Sequence, residues 1–344
     1  MLPKLETSKP ILIKTYLHES GLFYLAKSLG DLLKSQGHTV IYIPKSKYLL
    51  DGSIFYRNYL KPNDETLLDG EIVHWFDERK TVENQVSNAI IKYDSDTIIS
   101  FETLMEKSQW IYKVKRKHHV HMIDVPMIEW VSPNLLKGNS YIMFDQIWCL
   151  TEQCHNYFSD YKATQRVEWD LVDRDLFAPV EKEDGPVRYF HAASLNPEYS
   201  TKNTDLVIQA FDRFLKRDNP DATLTISGVI KNLKSQRIIE KHDNIHTIDG
   251  VLDRSAIADL YKESHCVLAP SSREGLGLSL YEAQACNCLI ITTNLQPMNK
   301  CGTQYLCSVE STRKDQRLVP LAVLSTSKIY EQIKRAYGDI KCQK

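Results

Sequence analysis

The sequence lacks the long apolar runs that a membrane-spanning helix requires. None of its 344 residues belong to an uninterrupted apolar stretch of about 20 residues. Residues 1–6, MLPKLE, also lack the apolar core of a secretory signal. We therefore expect a cytoplasmic protein without a transmembrane segment.

An excess of charge of one sign is also absent. Lys and Arg together number 43 and Asp and Glu number 44, which gives a net charge of −1. This balance argues against a protein that binds polyanions through bulk charge. The one basic cluster, residues 113–119, is typical of a solvated helix end. A nucleic acid, an anionic lipid surface or a phosphorylated acceptor is the alternative partner for it.

Paired motifs for disulfides or metals are missing as well. The eight cysteines include no C-x-x-C pair, which favours a reduced intracellular protein. Asp94-Ser95-Asp96 matches the D-x-D pattern of metal-dependent sugar transfer, but it precedes an apolar run instead of following one. We interpret it as a turn and predict no metal site.

What the chain does contain is repeated alternation of strand and helix patterns. A strand at residues 11–16, a helix at 22–35 and a strand at 39–44 form a βαβ unit. The other predicted strands are residues 71–76, 96–101, 119–123, 146–150, 187–193, 223–228, 244–249, 266–270 and 289–293. The other predicted helices include residues 104–117, 205–217, 255–263 and 325–337. This alternation predicts parallel sheets that bind ligands at the carboxyl ends of their strands.

A polar segment with one proline, residues 181–186, separates two such series. We therefore predict an N-terminal Rossmann-like domain at residues 1–180 and a second at 181–325. Residues 326–344 form a terminal helix in this scheme.

The most informative segment is residues 271–286, SSREGLGLSLYEAQAC, which follows the apolar strand 266–270. Gly275 and Gly277 interrupt the pattern, and helical spacing resumes after them. A helix start with glycines offers free backbone N–H groups to an anion. Glu274 should lie on the loop and Glu282 one turn inside the helix. The segment thus predicts an anion site with two carboxylates beside it.

Two glutamates seven residues apart, in the string P-S-x-x-E-G-x-G-L-x-x-x-E-A-x-A-C, resemble the family-four retaining glycosyltransferases. The resemblance implies the GT-B architecture, in which two Rossmann-like domains face each other across a cleft. It also implies metal-independent transfer of a sugar from a nucleotide-diphosphate sugar to an acceptor hydroxyl with retention of configuration. No cofactor is expected besides this co-substrate. By resemblance, Glu274 lies beside the transferred sugar and Glu282 binds the nucleotide ribose.

The same resemblance assigns further donor contacts. Lys202 corresponds to the phosphate-binding lysine and is a predicted catalytic residue. Where family members carry an arginine, this chain has Ser194, so Arg273 or a basic side chain of the first domain is expected to replace that cation. The nucleobase should lie near Gly228 and residues 250–252. The full predicted donor-binding set is Ser194, Lys202, Gly228, Val251, Leu252, Arg273, Gly275, Leu276, Gly277, Leu278, Ser279 and Glu282.

On the acceptor side, family members often have a histidine at a strand end. Here the strand-end residue is Asp124, whereas His121 falls three residues earlier; we prefer Asp124 as the catalytic candidate. Gly21 occupies the place of the family's first glycine loop. Glu129 and Trp130 suit either sugar stacking or ordinary packing. The terminal helix is expected to cross back to the first domain.

The sequence leaves the base, the sugar and the acceptor open, and the acceptor is a glycan, a lipid or a modified DNA base. Two alternative functions share the scaffold. A sugar-nucleotide epimerase would turn over donor without acceptor. A catalytically silent nucleotide-sugar-binding protein would explain the missing arginine.

Overall fold

The computed structural model describes residues 2–15, 21–44, 70–74, 81–102, 109–134, 140–161, 163–194, 201–218, 220–250 and 252–343. The chain divides into two compact units. Unit 1 comprises residues 1–171 and 316–318, and unit 2 comprises residues 172–315 and 319–344. The division therefore falls ahead of the predicted boundary at residues 180 and 181.

Unit 1 is built on a seven-stranded sheet in the order β3-β2-β1-β4-β5-β6-β7, with parallel pairing throughout. Its strands are β1 (Ile11–Thr15), β2 (Val40–Pro44), β3 (Ile72–Val73), β4 (Thr97–Phe101), β5 (His121–Val125), β6 (Gln146–Cys149) and β7 (Thr164–Arg166). Its described α-helices are α1 (Gly21–Ser35), α2 (Val82–Tyr93), α3 (Gln109–His118) and α4 (Glu152–Tyr157). Short 3-10 helices cover Ile128–Trp130 and Ser140–Met143.

The central strands β1 and β4 are buried along their whole length. Their runs of apolar and β-branched residues are typical of parallel strands covered on both faces. The D-x-D turn lies between α2 and β4, where Asp94 closes the helix in a left-handed conformation. Asp94 pairs with Lys9 at 2.9 Å, and Asp96 accepts a hydrogen bond from the Thr7 hydroxyl at 2.8 Å. These carboxylates therefore lie at the amino edge of the sheet.

Unit 2 repeats the plan with a six-stranded parallel sheet in the order β10-β9-β8-β11-β12-β13. Its strands are β8 (Val187–Ala192), β9 (Ala222–Ser227), β10 (Ile245–Ile248), β11 (Cys266–Ala269), β12 (Leu289–Thr293) and β13 (Tyr305–Cys307). An antiparallel hairpin, β14 (Ser311–Arg313) and β15 (Leu321–Val323), follows. Its helices are α5 (Thr204–Asp218), α6 (Leu233–Ile239), α7 (Arg254–Glu263), α8 (Leu278–Ala285) and α9 (Thr326–Gln343), and a 3-10 helix covers Met298–Lys300.

The prediction of two Rossmann-like α/β domains is confirmed, because in each sheet the chain adds strands first on one side of its first strand and then on the other. Sequence analysis missed α2, α6, β7, β13 and the hairpin. Apart from α2 these elements are short, and the strand β14 is exposed along its length. Helix α2 has 12 residues and buries Val86, Ala89 and Ile90 at helical spacing, so the sequence did carry a signal for it.

The terminal helix α9 belongs to unit 2, and its crossing to the first domain stays a prediction. Its buried face is formed by Ile329, Ile333, Ala336 and Ile340, which join the core cluster of unit 2 beside α5. Burying this apolar stripe in the sheet's own core is what fixes the helix there. Among the helices that the structure describes, none combines the length and the apolarity needed to cross a membrane.

We predict that Ile333→Ala lowers the free energy of unfolding of unit 2 by about 2–5 kcal/mol, because it leaves a cavity in the core. Ile333 is 0% exposed. The matched control is Ile91→Ala on α2, where the side chain is 66% exposed and the loss should stay within about 0.5 kcal/mol. Urea unfolding of both variants is the measurement, and equal losses would contradict the assigned core.

Candidate functional site

The candidate site lies at the carboxyl edge of the unit 2 sheet, between β8 and β11. From β8 the chain proceeds to β9 on one side, whereas β11 lies on the other. Loops that leave two such strands diverge and open a crevice, the usual ligand site of parallel α/β sheets. The loop after β8 leads to Lys202, and the loop after β11 carries Glu274.

Backbone and side-chain hydrogen bonds tie these two loops together. The backbone N–H of Ser272 donates to the Thr201 carbonyl at 2.7 Å. The Asn203 amide donates to the Pro270 carbonyl at 2.7 Å and to the Ser272 hydroxyl at 2.9 Å. Asn203 adopts a left-handed backbone (φ 56°), a conformation that Asn tolerates better than most residues. The loops are thus held in one fixed arrangement.

That arrangement brings together the two residues predicted to act on the sugar and the phosphate. Lys202 Nζ lies 2.6 Å from Glu274 Oε1, and the side chains are 29% and 15% exposed. The contact joins positions 72 residues apart. Since both groups retain access to solvent, a ligand at this edge can reach either of them.

A buried histidine holds together the elements that carry the site. His191 Nδ1 lies 2.6 Å from the Leu268 carbonyl, so this nitrogen donates, and Nε2 accepts from the Thr204 hydroxyl at 2.9 Å. Burial lowers the pKa of His191 to about 4. The neutral ring therefore links β8, β11 and the start of α5. Sequence analysis missed it; its only signal was a polar residue inside an apolar strand.

The glycine-rich loop opens α8 as predicted. Gly277 is the N-cap residue, with a left-handed backbone (φ 77°) and no side-chain cap on the helix. An added Cβ there would lie 3.1 Å from Leu280 Cδ1. Gly275 and Leu276 are buried, while Leu278 and Ser279 begin the helix partly exposed. The first N–H groups of α8 are therefore available to an anion at the carboxyl edge.

Glu282 lies one turn further along α8 and is held by two residues of α7. Its Oε1 lies 2.6 Å from Arg254 Nη1, with side-chain exposures of 6% for Glu282 and 16% for Arg254. The Arg254 guanidinium stacks 4.5 Å from the ring centroid of Phe177. Burial and then the charge of Glu282 raise the pKa of Tyr261 well above its usual range. Sequence analysis did not identify Arg254 or Tyr261, since neither is near Glu282 in the chain.

The predicted nucleobase region is formed at the end of β9. Gly228 has a positive φ (117°), and an added Cβ would meet the Ala193 carbonyl oxygen at 3.0 Å. The N–H of Val229 donates to the Ser194 carbonyl at 3.2 Å, so Gly228 and Ser194 lie beside each other. Leu252 precedes α7 and is partly buried. Val251 lies outside the described residues.

Arg273, the predicted replacement for the missing cation, is buried in unit 2. Its side chain is 0% exposed, and Nη2 lies 2.8 Å from Asp315 Oδ2 without hydrogen-bond geometry. The guanidinium is thus enclosed beside a carboxylate of the hairpin loop. Its role as the replacement cation for the donor phosphate stays a prediction.

Asp124, the catalytic candidate of unit 1, is completely buried. In the sheet it aligns with Ser100, which aligns with Lys14, and both of these residues are also 0% exposed. Side chains at aligned positions of parallel strands point to the same face. Lys14 and Ser100 thus accompany Asp124 in a buried polar row, and contact between Asp124 and a substrate stays a prediction.

His121 lies at the opposite edge of the sheet from the predicted acceptor site. It is the first residue of β5, and its Nε2 accepts from the Gln146 amide at 3.2 Å. A surface pocket of about 450 Å³ there also includes His119 and Asp96. Ligands of such sheets usually bind at the carboxyl edge, so this position favours Asp124 over His121, and the acceptor role of His121 stays an untested prediction.

The remaining acceptor candidates occupy the expected elements. Gly21 is the exposed first residue of α1, directly after the loop that leaves β1. Glu129 lies on the 3-10 helix after β5 and contributes, after burial, to the raised pKa of Cys154. The side chain of Trp130 lies outside the described part of the structure. The basic cluster ends α3, where Lys113 pairs with Glu83 at 3.0 Å.

A known protein family matches the part of the chain that forms unit 2. Residues 173–301 match the family model described as glycosyl transferases group 1, and these residues fall entirely in unit 2. The match supports a glycosyltransferase. Comparison with curated protein sequences gives no match.

Three solved structures are similar over most of the chain. The pneumococcal O-GlcNAc transferase GtfA in complex with UDP and GlcNAc has a TM-score of 0.65 at 13% identity, covering 97% of this chain and 92% of that one. A putative UDP-N-acetylglucosamine 2-epimerase from Listeria monocytogenes gives 0.64 at 11% identity, covering 96% and 88%. An α,α-trehalose-phosphate synthase (UDP-forming) from Burkholderia xenovorans, with glucose-6-phosphate bound, gives 0.63 at 12% identity, covering 96% and 92%. At these identities the likeness shows the fold, which is that of GT-B proteins.

We predict that His191 makes stability depend on pH. Because burial lowers its pKa from 6.5 to about 4, the unfolded chain binds more protons between these values. The free energy of unfolding should therefore fall as the pH drops from about 6.5 towards about 4.

Thermal unfolding across this pH range is the measurement. His191→Gln should show a flatter pH dependence than the parent, whereas His246→Gln, at an exposed position of β10, should leave the slope unchanged. A parent-like slope in His191→Gln would contradict the assignment.

Proposed function

We propose that this chain is a glycosyltransferase that moves a sugar from a nucleotide-diphosphate sugar to an acceptor hydroxyl, with retention of configuration and without a metal ion. The observation that carries the proposal is the Lys202–Glu274 pair, at 2.6 Å, on the edge where the uncapped start of α8 lies. The match of residues 173–301 to the group 1 glycosyl transferases supports it independently.

The donor diphosphate would bind at the start of α8. The N–H groups near Gly277 and Leu278 face an anion there with the positive end of the helix dipole. Lys202, at the neighbouring loop, supplies a mobile positive charge. When the nucleoside diphosphate departs, both stabilise the charge that develops on its outer phosphate.

Glu274 would orient the sugar and stabilise the positive charge that develops at its anomeric carbon. In the proposed step the bond from that carbon to the phosphate oxygen breaks. The acceptor oxygen then forms its bond on the same face, and its proton passes to the departing phosphate. No side chain forms a covalent intermediate in this step.

Uridine diphosphate is the first nucleotide to test, because the three similar structures carry UDP or UDP-linked activities in their descriptions. This is an analogy of fold, and the site geometry does not choose the base. For the acceptor we favour a glycan or lipid hydroxyl over a modified DNA base. The net charge of −1 offers no general attraction for a polyanion.

We predict that Glu274→Gln lowers the rate of sugar transfer by roughly 10²-fold or more, since a charge aimed at the transition state is lost. The matched control is Glu240→Gln, an exposed position beside α6, which should keep the parent rate. Transfer is measured with UDP-, GDP- and ADP-sugars against a glycan and lipid acceptor panel. An unchanged rate in Glu274→Gln would refute its assigned role.

The products distinguish the proposal from its alternatives. Nuclear magnetic resonance of the new glycosidic bond should show the donor's anomeric configuration, and inversion would contradict the proposed step. An epimerised donor formed without acceptor would indicate a sugar-nucleotide epimerase. Nucleotide-sugar binding without any turnover would indicate a binding protein.

A further inference from the structure

Arg254 is the cation that contacts the second glutamate of the site. It is the first residue of α7, whose start is fixed by Asp253 accepting a hydrogen bond from the Ala256 N–H at 2.8 Å. The guanidinium then lies between the Phe177 ring, 4.5 Å away, and Glu282 Oε1, 2.6 Å away. Three independent elements therefore determine its position.

Glu282 needs this partner for electrostatic reasons. Its side chain is 6% exposed, and an isolated carboxylate at such a depth is strongly disfavoured. Arg254 Nη1 contacts the carboxylate at Oε1, and the Tyr261 hydroxyl is a further hydrogen-bond partner of the same carboxylate. The ion pair balances the charge of Glu282 and holds its side chain in place, while the several lone pairs of the carboxylate can accept further hydrogen bonds.

The pair also matters for a negatively charged ligand. A bare carboxylate one turn from the start of α8 would repel a diphosphate bound there. Arg254 cancels that charge, just as Lys202 lies against Glu274 at 2.6 Å. Each glutamate of the site therefore carries its own cation. Arg273, the cation expected from the sequence, is enclosed beside Asp315 instead.

We propose that Arg254 is a donor-positioning residue: it orients and neutralises Glu282 so that this carboxylate accepts hydrogen bonds from the ribose hydroxyls of a nucleoside diphosphate. The inference rests on the proposed function, and it adds a residue that acts through Glu282 and does not touch the reacting atoms. Its signature is a loss of ribose recognition, not a general loss of nucleotide affinity.

The test compares UDP, GDP and ADP with their 2′,3′-dideoxy counterparts by titration calorimetry on the full chain. For the nucleotide that binds best, the parent should prefer the ribose form by about tenfold or more, as expected for one or two hydrogen bonds to a charged group. Arg254→Ala should reduce this preference to within about twofold, and Arg254→Lys should retain part of it. Arg237→Ala, an exposed arginine on α6, should keep the parent preference.

A double-mutant cycle with Glu282→Gln tests whether Arg254 influences ribose binding through Glu282. If Arg254 acts through Glu282, Arg254→Ala should change the preference by less than about twofold in the Glu282→Gln background. Additive effects, or equal weakening of ribose and dideoxy forms, would overturn the inference. If Arg254→Ala does not fold, the same preference is measured with Arg254→Lys and with the double variant Arg254→Ala/Glu282→Gln. The double variant leaves no buried carboxylate without a cation.

The two proposals fail in different ways. If the parent binds none of the three nucleoside diphosphates, the proposed function fails. If the parent binds one and prefers its ribose form, but Arg254→Ala keeps that preference, only the role of Arg254 fails.

Discussion

The candidate site depends on the pairing of opposite charges at the carboxyl edge of one parallel sheet. Glu274 and Glu282 lie on the loop and helix after β11, and their cations come from other segments: Lys202 from the loop after β8 and Arg254 from α7. Carboxylates this close to the proposed diphosphate site are tolerated only when their charge is balanced. The sheet edge supplies that balance because it brings several loops together.

Neutral polar contacts fix the geometry on which this pairing relies. Asn203 binds two groups of the neighbouring loop, and His191 joins β8, β11 and α5 through its two ring nitrogens. The left-handed backbone of Gly277 then starts α8 without a side-chain cap. Fixed donors and charges of this kind stabilise a developing charge without first having to reorganise.

The sequence could predict the parts of the site that are close together in the chain. The apolar strand 266–269, the glycine loop and Glu282 lie within one short segment, so their relative placement follows from local periodicity alone. Arg254 and Phe177 could not be predicted as partners of Glu282, because only the fold brings α7 and the start of unit 2 to that helix. The enclosure of Arg273 beside Asp315 could not be predicted either, because nothing in the sequence indicates that the hairpin loop reaches it.

In unit 1 the sequence identified the right strand but not the environment of its side chains. Asp124 is the next-to-last residue of the apolar strand β5, and its neighbours in the row are Ser100 and the buried Lys14. The burial of Lys14 in β1 depends on the tertiary structure and cannot be predicted from the local sequence pattern. The central claim is that the donor diphosphate binds at the start of α8 beside Lys202, and a crystal structure with UDP bound tests it most directly. We expect its phosphates within about 3 Å of the Leu278 N–H and of Lys202 Nζ; UDP bound at the amino edge of either sheet would contradict the account.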